Sequence, residues 1–296
     1  MNRICAVCRS DPGRRRHRVP PDTNKDEARK PSAIIATLAV IALLALSSCA
    51  TVPVTGRSQL NLVPDSEMMA MSYQQYGEFI KASRLSQNQS QTAMVKRVGA
   101  NIQKAVETYF AQNNLTRELA GFAWEYNLVD SSEVNAFCMP GGKVVVFSGI
   151  LPVTRTEAGL AVVVGHEIAH AVAKHGSERM SQNLLQQLGG MALQKAIEQK
   201  PRETQQLWMM AFGLGSQLGV MLPYSRVQEH EADRLGMTFM AMAGYDPNAA
   251  LDFWQRMSAT GGAKPPEFLS THPSDESRIA NMKALLPEVM KYYKKP

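Results

Sequence analysis

Cysteine and histidine are both scarce in this chain, with four and six among 296 residues, and aromatic side chains make up 7%. Two of the cysteines, Cys5 and Cys8, lie in an N-terminal leader, which leaves Cys49 and Cys138 and excludes a disulfide scaffold. Excess charge of either sign is lacking too. Nine of the 32 basic and four of the 26 acidic side chains precede Cys49, so the remainder carries 23 against 22. That near-neutral body excludes nucleic acid as a partner. No apolar run reaches the roughly 20 residues a membrane-spanning helix needs. Repeats and composition shifts are absent as well, so residues 64–296 are expected to form one domain.

The N-terminal region does contain an ordered set of parts. Arg29 and Lys30 precede the apolar run Ala33–Leu46, and small residues follow up to Cys49. A charged segment, a short apolar segment and a small-residue boundary describe an export signal. Residues 1–48 are therefore expected to be leader and signal peptide, 49–63 a tether containing Pro53 and Gly56, and 64–296 the folded domain. Leu46-Ser47-Ser48-Cys49 resembles the bacterial lipobox. The resemblance implies acylation of Cys49, a lipid anchor in the membrane, and placement in the bacterial periplasm, at the outer membrane in preference to the inner.

The centre of the chain reads "VVVGHEIAHAVAKHG", Val162–Gly176. At about 3.6 residues per turn, His166 and His170 share a helix face and can both reach an ion about 2 Å away. Glu167, one step round the helix, can reach a water at that ion without being a ligand. A buried helix would explain the apolar spacing but not the His-Glu-x-x-His pattern. The helix is predicted over 154–175, capped near Thr154 or Thr156 and stopped by Gly176, with His175 a last-turn histidine rather than a ligand. A third ligand is sought in "SRVQEHEADRLG", 225–236, where Glu229, His230 and Glu231 compete. Glu229 is preferred, because Asp233 shares its face and can then hold a ligating histidine from behind.

Around these motifs, Pro64-Asp65-Ser66 opens a helix to about Lys81, and 92–111 reads as a second. Residues 122–129 and 143–147 read as strands, with "CMPGG", 138–142, as a turn. Leu207–Leu222, 16 residues with Ser216 and Gln217 inside, is expected to be a core helix. Strands early and helices late give an α+β class, predominantly helical.

These motifs together resemble the zinc metallopeptidases of the CAAX prenyl protease and HtpX type, especially their periplasmic lipoprotein branch (BepA/LoiP-like). "VNAFCMPGGKVVVFSGIL", 134–151, and "STHPSDESRI", 270–279, are similar to that family's strand segment and late His-Pro motif. The resemblance implies a zincin-like (gluzincin) fold with a small sheet beside the motif helix. It also implies Zn2+ bound by His166, His170 and Glu229, Glu167 as general base, and Asp233 supporting a ligand. His272 is expected to face the site, as an oxyanion donor or as a fourth ligand that holds it closed, with Arg278 nearby. The expected activity is endopeptidase quality control of unfolded or misassembled envelope proteins, bound by addition to an open edge at Lys143–Phe147. The alternative is an envelope assembly factor with a latent or structural zinc site.

Overall fold

The computed structural model describes residues 49–217, 221–259, 266–272 and 276–294. The expected leader and signal peptide, Pro273, and the helix start expected at Ser274 lie outside the described residues. Among the described residues the architecture is mostly helical with small sheets, as expected. Strands β1 (Cys49–Thr51) and β2 (Ser58–Leu60) pair antiparallel, Cys49 opposite Leu60. The helices α1 (Asp65–Ala82) and α2 (Gln89–Gln112) lead to β3 (Glu125–Val129), β4 (Ala136–Met139) and β5 (Lys143–Phe147). The short α3 (Leu151–Thr154) precedes the motif helix α4 (Glu157–Val172). Then come α5 (His175–Ile197), α6 (Arg202–Ser216), α7 (Leu222–Met242), α8 (Ala249–Ala259), α9 (Glu267–Thr271) and α10 (Glu276–Val289).

α4 is the core helix. Thr156 caps it by accepting from the Gly159 amide at 3.0 Å, and every residue from Gly159 to Val172 is buried. Its most extensive packing is against α7, and two glycines set that approach. A Cβ at Gly236 would sit 2.8 Å from the His166 amide nitrogen, and one at Gly165 2.9 Å from the Gly236 carbonyl oxygen. The crossing therefore brings the two motif faces together only because neither residue has a side chain. α2 packs against α4 and β3, burying Val95, Val98, Ile102, Val106 and Phe110 along one stripe.

Several expectations are corrected here. Lys143–Phe147 has no open edge, because β5 lies in the middle of the sheet, parallel to β3 and antiparallel to β4. Its Val144, Val145 and Val146 are fully buried, as a central strand requires. The edge strand beside α4 is β4, so Cys138 and Met139 belong to a strand and the turn shrinks to Pro140–Gly142. The motif helix stops before Gly176. Lys174 takes a left-handed φ of 60°, held by ion pairs to Asp65 at 2.7 Å and Glu118 at 2.8 Å, and His175 opens the next helix. Residues 49–63, read as a tether, fold into the β1–β2 hairpin, with Val52 buried in the main core. The apolar run from Leu207 is not a core helix: α6 buries none of its residues, and Leu207 is 67% exposed. Apolar composition calls for cover, but among the described residues only α5 packs on α6 appreciably. No described helix is long and apolar enough to cross a membrane.

Candidate metal centre

His166 and His170 project from one face of α4, Glu229 from the facing side of α7, and His272 from the end of α9. One ligand atom from each lies within 4.8 Å of all the others, and all four residues are buried. His166 Nε2 is 3.1 Å from His170 Nε2 and 3.1 Å from His272 Nδ1. The Glu229 carboxylate receives all three rings, at 3.3 Å from His166 and His170 and 3.1 Å from His272. Imidazole nitrogens this close set lone pair against lone pair unless a proton or a cation lies among them. Three nitrogens and a carboxylate oxygen are the hard and borderline donors that a tetrahedral zinc site uses. Glu167, whose carboxyl burial pushes up, has its Oε1 buried without a hydrogen bond. His272 Nε2 stands 3.4 Å from that oxygen.

A second layer holds these side chains in place. Asp233 Oδ1 lies 3.0 Å from His166 Nδ1, so that nitrogen carries the hydrogen and Nε2 faces the cluster. Arg278 grips Asp233 with two bonds of 2.7 and 2.8 Å, reaches Glu229 at 3.2 Å, and lies 3.7 Å over the Trp254 ring. Burial alone would lower the His166 pKa, yet Asp233 and Glu229 together raise it to about 9. Burial would lift Glu229, but its three histidine contacts drive it far below the usual carboxylate range.

On the other side, His170 Nδ1 meets His175 Nδ1 at 2.8 Å, and His175 Nε2 meets Glu231 at 3.0 Å. Burial lowers both histidines, so both are neutral. With His170 Nε2 turned to the cluster, its Nδ1–H donates to His175, whose Nε2–H donates to Glu231. Thr55 also bonds Glu231. Arg57, between β1 and β2, ties Glu231 at 2.9 Å to Glu178 at 2.8 and 2.9 Å.

A model of peptidase family M48 matches residues 96–286, well over half of the chain and all of this cluster. The chain belongs to peptidase family M48. Among M48 relatives, mitochondrial metalloendopeptidase OMA1 of Schizosaccharomyces pombe is 38% identical over 57% of this chain and 49% of its own length. The Bos taurus mitochondrial OMA1 metalloendopeptidase is 35% identical over 81% of this chain and 46% of its own. The beta-barrel assembly-enhancing protease of Escherichia coli is 29% identical over 53% of this chain and 33% of its own. The chain thus spans about half, or less, of the length of these relatives. They overturn the expected bacterial periplasmic, outer-membrane location, since the two more similar are mitochondrial enzymes. An arginine-rich leader before a short apolar run is read by translocation systems of more than one membrane, so its composition does not name the compartment.

The M48 cluster contains each residue that the motifs singled out: His166, Glu167, His170, Glu229, Asp233 and His272. Of the competing candidates, Glu231 turns to His175 and Arg57, and His230 is exposed near Asn281. Sequence reasoning missed His175 and Arg57. His175 follows His170 by five positions, a spacing that in one unbroken helix would turn it away, and only the break at Lys174 returns it. Arg57 carries no sequence signal. Cys49 opens β1.

Proposed function

We propose that the chain is a zinc-dependent endopeptidase of unfolded or misassembled proteins, with His272 holding the resting site closed. The observation that carries this reading is the convergence of His166, His170 and Glu229 beside a buried Glu167 oxygen that accepts no hydrogen bond. In it, His166, His170 and Glu229 would hold Zn2+, which would supply Lewis acidity toward the scissile carbonyl. Glu167 takes the proton of the attacking water and returns it to the leaving amine. Its raised carboxyl suits a group that must both accept and give a proton. Asp233 fixes the His166 tautomer, and Arg278 fixes Asp233. His272 would serve as the fourth ligand rather than as an oxyanion donor, because its Nδ1 stands 3.1 Å from both Glu229 oxygens and from His166 Nε2.

Substrate enters along β4, the edge strand that packs against α4, where an extended peptide adds by backbone hydrogen bonds. Such binding reads main chain more than side chains and favours unfolded segments. Beside it, a cavity of about 50 Å³ between Met68, Phe122, Cys138, Pro140 and His170 offers room for a small side chain. The test pairs zinc content with cleavage of an unfolded protein for wild type and Glu167→Gln. Both should hold about one zinc per chain, with cleavage lost only in the variant, because the base is removed and the ligands are not. Equal cleavage would overturn the assignment.

A further inference from the structure

The small cavity beside the metal cluster has walls from three separate parts of the chain. His170 of α4 lines one side, Cys138 of β4 and Pro140 of the following turn a second, and Met68 and Met69 of α1, with Phe122, a third. Its volume of about 50 Å³ takes a few water-sized groups and is too small for a ring or a long side chain. These walls are fastened to one another, so the space is set before a ligand arrives. Ser72 Oγ donates to the Pro140 carbonyl at 2.7 Å, and the Tyr73 hydroxyl donates to the Gly121 carbonyl. At Gly141 a Cβ would stand 2.5 Å from Tyr73, and at Gly121 2.8 Å from Met69 Sδ, so α1 closes on both loops only because they carry glycine there.

Lys174, which also borders the cavity, ties the break between α4 and α5 back to Asp65 of α1. Left-handed backbone is costly at a lysine, and the ion pairs to Asp65 and Glu118 hold it there. With its ammonium engaged by two carboxylates, Lys174 leaves selection in the cavity to size. Strand geometry says what reaches this space. Successive β4 side chains alternate: Ala136 and Cys138 pack in the main core with α4, whereas Phe137 and Met139 pack on the other face with Tyr76 and Phe147. A peptide added along β4 alternates in the same way, so its residue level with Cys138 turns toward α4 and meets the cavity. His170 is both a wall of that cavity and a proposed ligand, which puts the residue seated there next to the reacting bond.

We propose that this cavity is the subsite for one of the two residues joined by the scissile bond, and that it admits Ala or Ser and excludes rings and long side chains. Met68 and Met69 form the wall opposite the cluster and are specificity-determining residues, with no part in the chemistry. The inference rests on the peptidase reading of the same site.

The test is digestion of a reduced and alkylated protein of known sequence by the full chain, with the cut sites read by mass spectrometry. Synthetic peptides then vary the two residues flanking a favoured cut, one at a time. At one flanking position Ala or Ser should exceed Leu, Phe or Arg by at least about tenfold in kcat/KM, the scale on which an apolar pocket rejects an oversized group. Met68→Ala should deepen the pocket and raise kcat/KM for the Leu peptide relative to the Ala peptide by about tenfold, with zinc content unchanged. Met68 is buried, so Met69→Ala, at the half-buried end of the same wall, gives a second reading that does not depend on how well Met68→Ala folds. Leu or Phe cleaved as fast as Ala at both flanking positions would overturn the subsite. So would folded Met68→Ala or Met69→Ala enzyme with the wild-type preference. Cleavage of the series is what the peptidase reading requires, and its dependence on size is what the subsite requires, so the two fail separately.

Discussion

At the scale of single residues, the chemistry of the site follows from which nitrogen holds a proton. Metal-free His166 titrates near 9, raised from its ordinary 6.5, so at neutral pH a cation enters only by displacing that proton. Zinc affinity should therefore rise with pH, by about tenfold per unit between pH 7 and 8.5, and level off above about 9. Competition with a chelator across that range measures the slope, and a flat profile would contradict it. His272→Ala removes the group that holds the resting site closed. It should raise kcat/KM on an unstructured peptide by roughly tenfold if nine chains in ten are closed, with zinc retained. A fall in kcat/KM would return His272 to the oxyanion role. That His166 and His170 share one face was legible in sequence because i and i+4 spacing has one geometric meaning on a helix, and Glu229 was preferred to His230 and Glu231 because it shares a face with Asp233. His175 was not, because its role depends on a single left-handed residue, Lys174.

At the scale of elements, the α4–α7 crossing carries the site. Gly236→Ala would put a methyl group 2.8 Å from the His166 amide and force apart the two helices that supply all three proposed ligands. It should cost about 1–3 kcal/mol, seen as a lower Tm, and weaken zinc binding as well. Gly213→Ala on α6 meets nothing within 4 Å and should stabilise by about 0.5–1 kcal/mol, because a helix-interior glycine is entropically poor. A denaturant titration of both variants checks the contrast. Helix existence along the chain was readable from apolar period and caps, Thr156 above all. The position of β5 within the sheet was not, since a buried apolar pentapeptide looks alike in the middle of any three strands.

At the scale of the whole molecule, the N-terminal hairpin is wired to the metal cluster through Arg57, Glu231, His175 and His170. Residues so ordered behind a ligand usually matter to affinity, so Arg57→Ala should weaken zinc binding about 10- to 100-fold while leaving the ligands untouched. Chelator competition on folded variant protein measures it, and unchanged affinity would show that the β1–β2 hairpin merely packs.

The sequence by itself determined the candidate site: His166 with His170, and Glu229 with Asp233, stand four apart and so share helix faces, and the apolar stretch of α4 dictates that the site is buried. It also determined the mostly helical class, because period and capping are local properties. Only the tertiary structure decided which edge strand faces α4, that residues 49–63 dock instead of trailing, and that the apolar α6 faces outward. Those outcomes depend on contacts between residues far apart in the chain, such as Gly165 with Gly236 and Arg57 with Glu231, and no local pattern encodes a partner at such a distance along the chain.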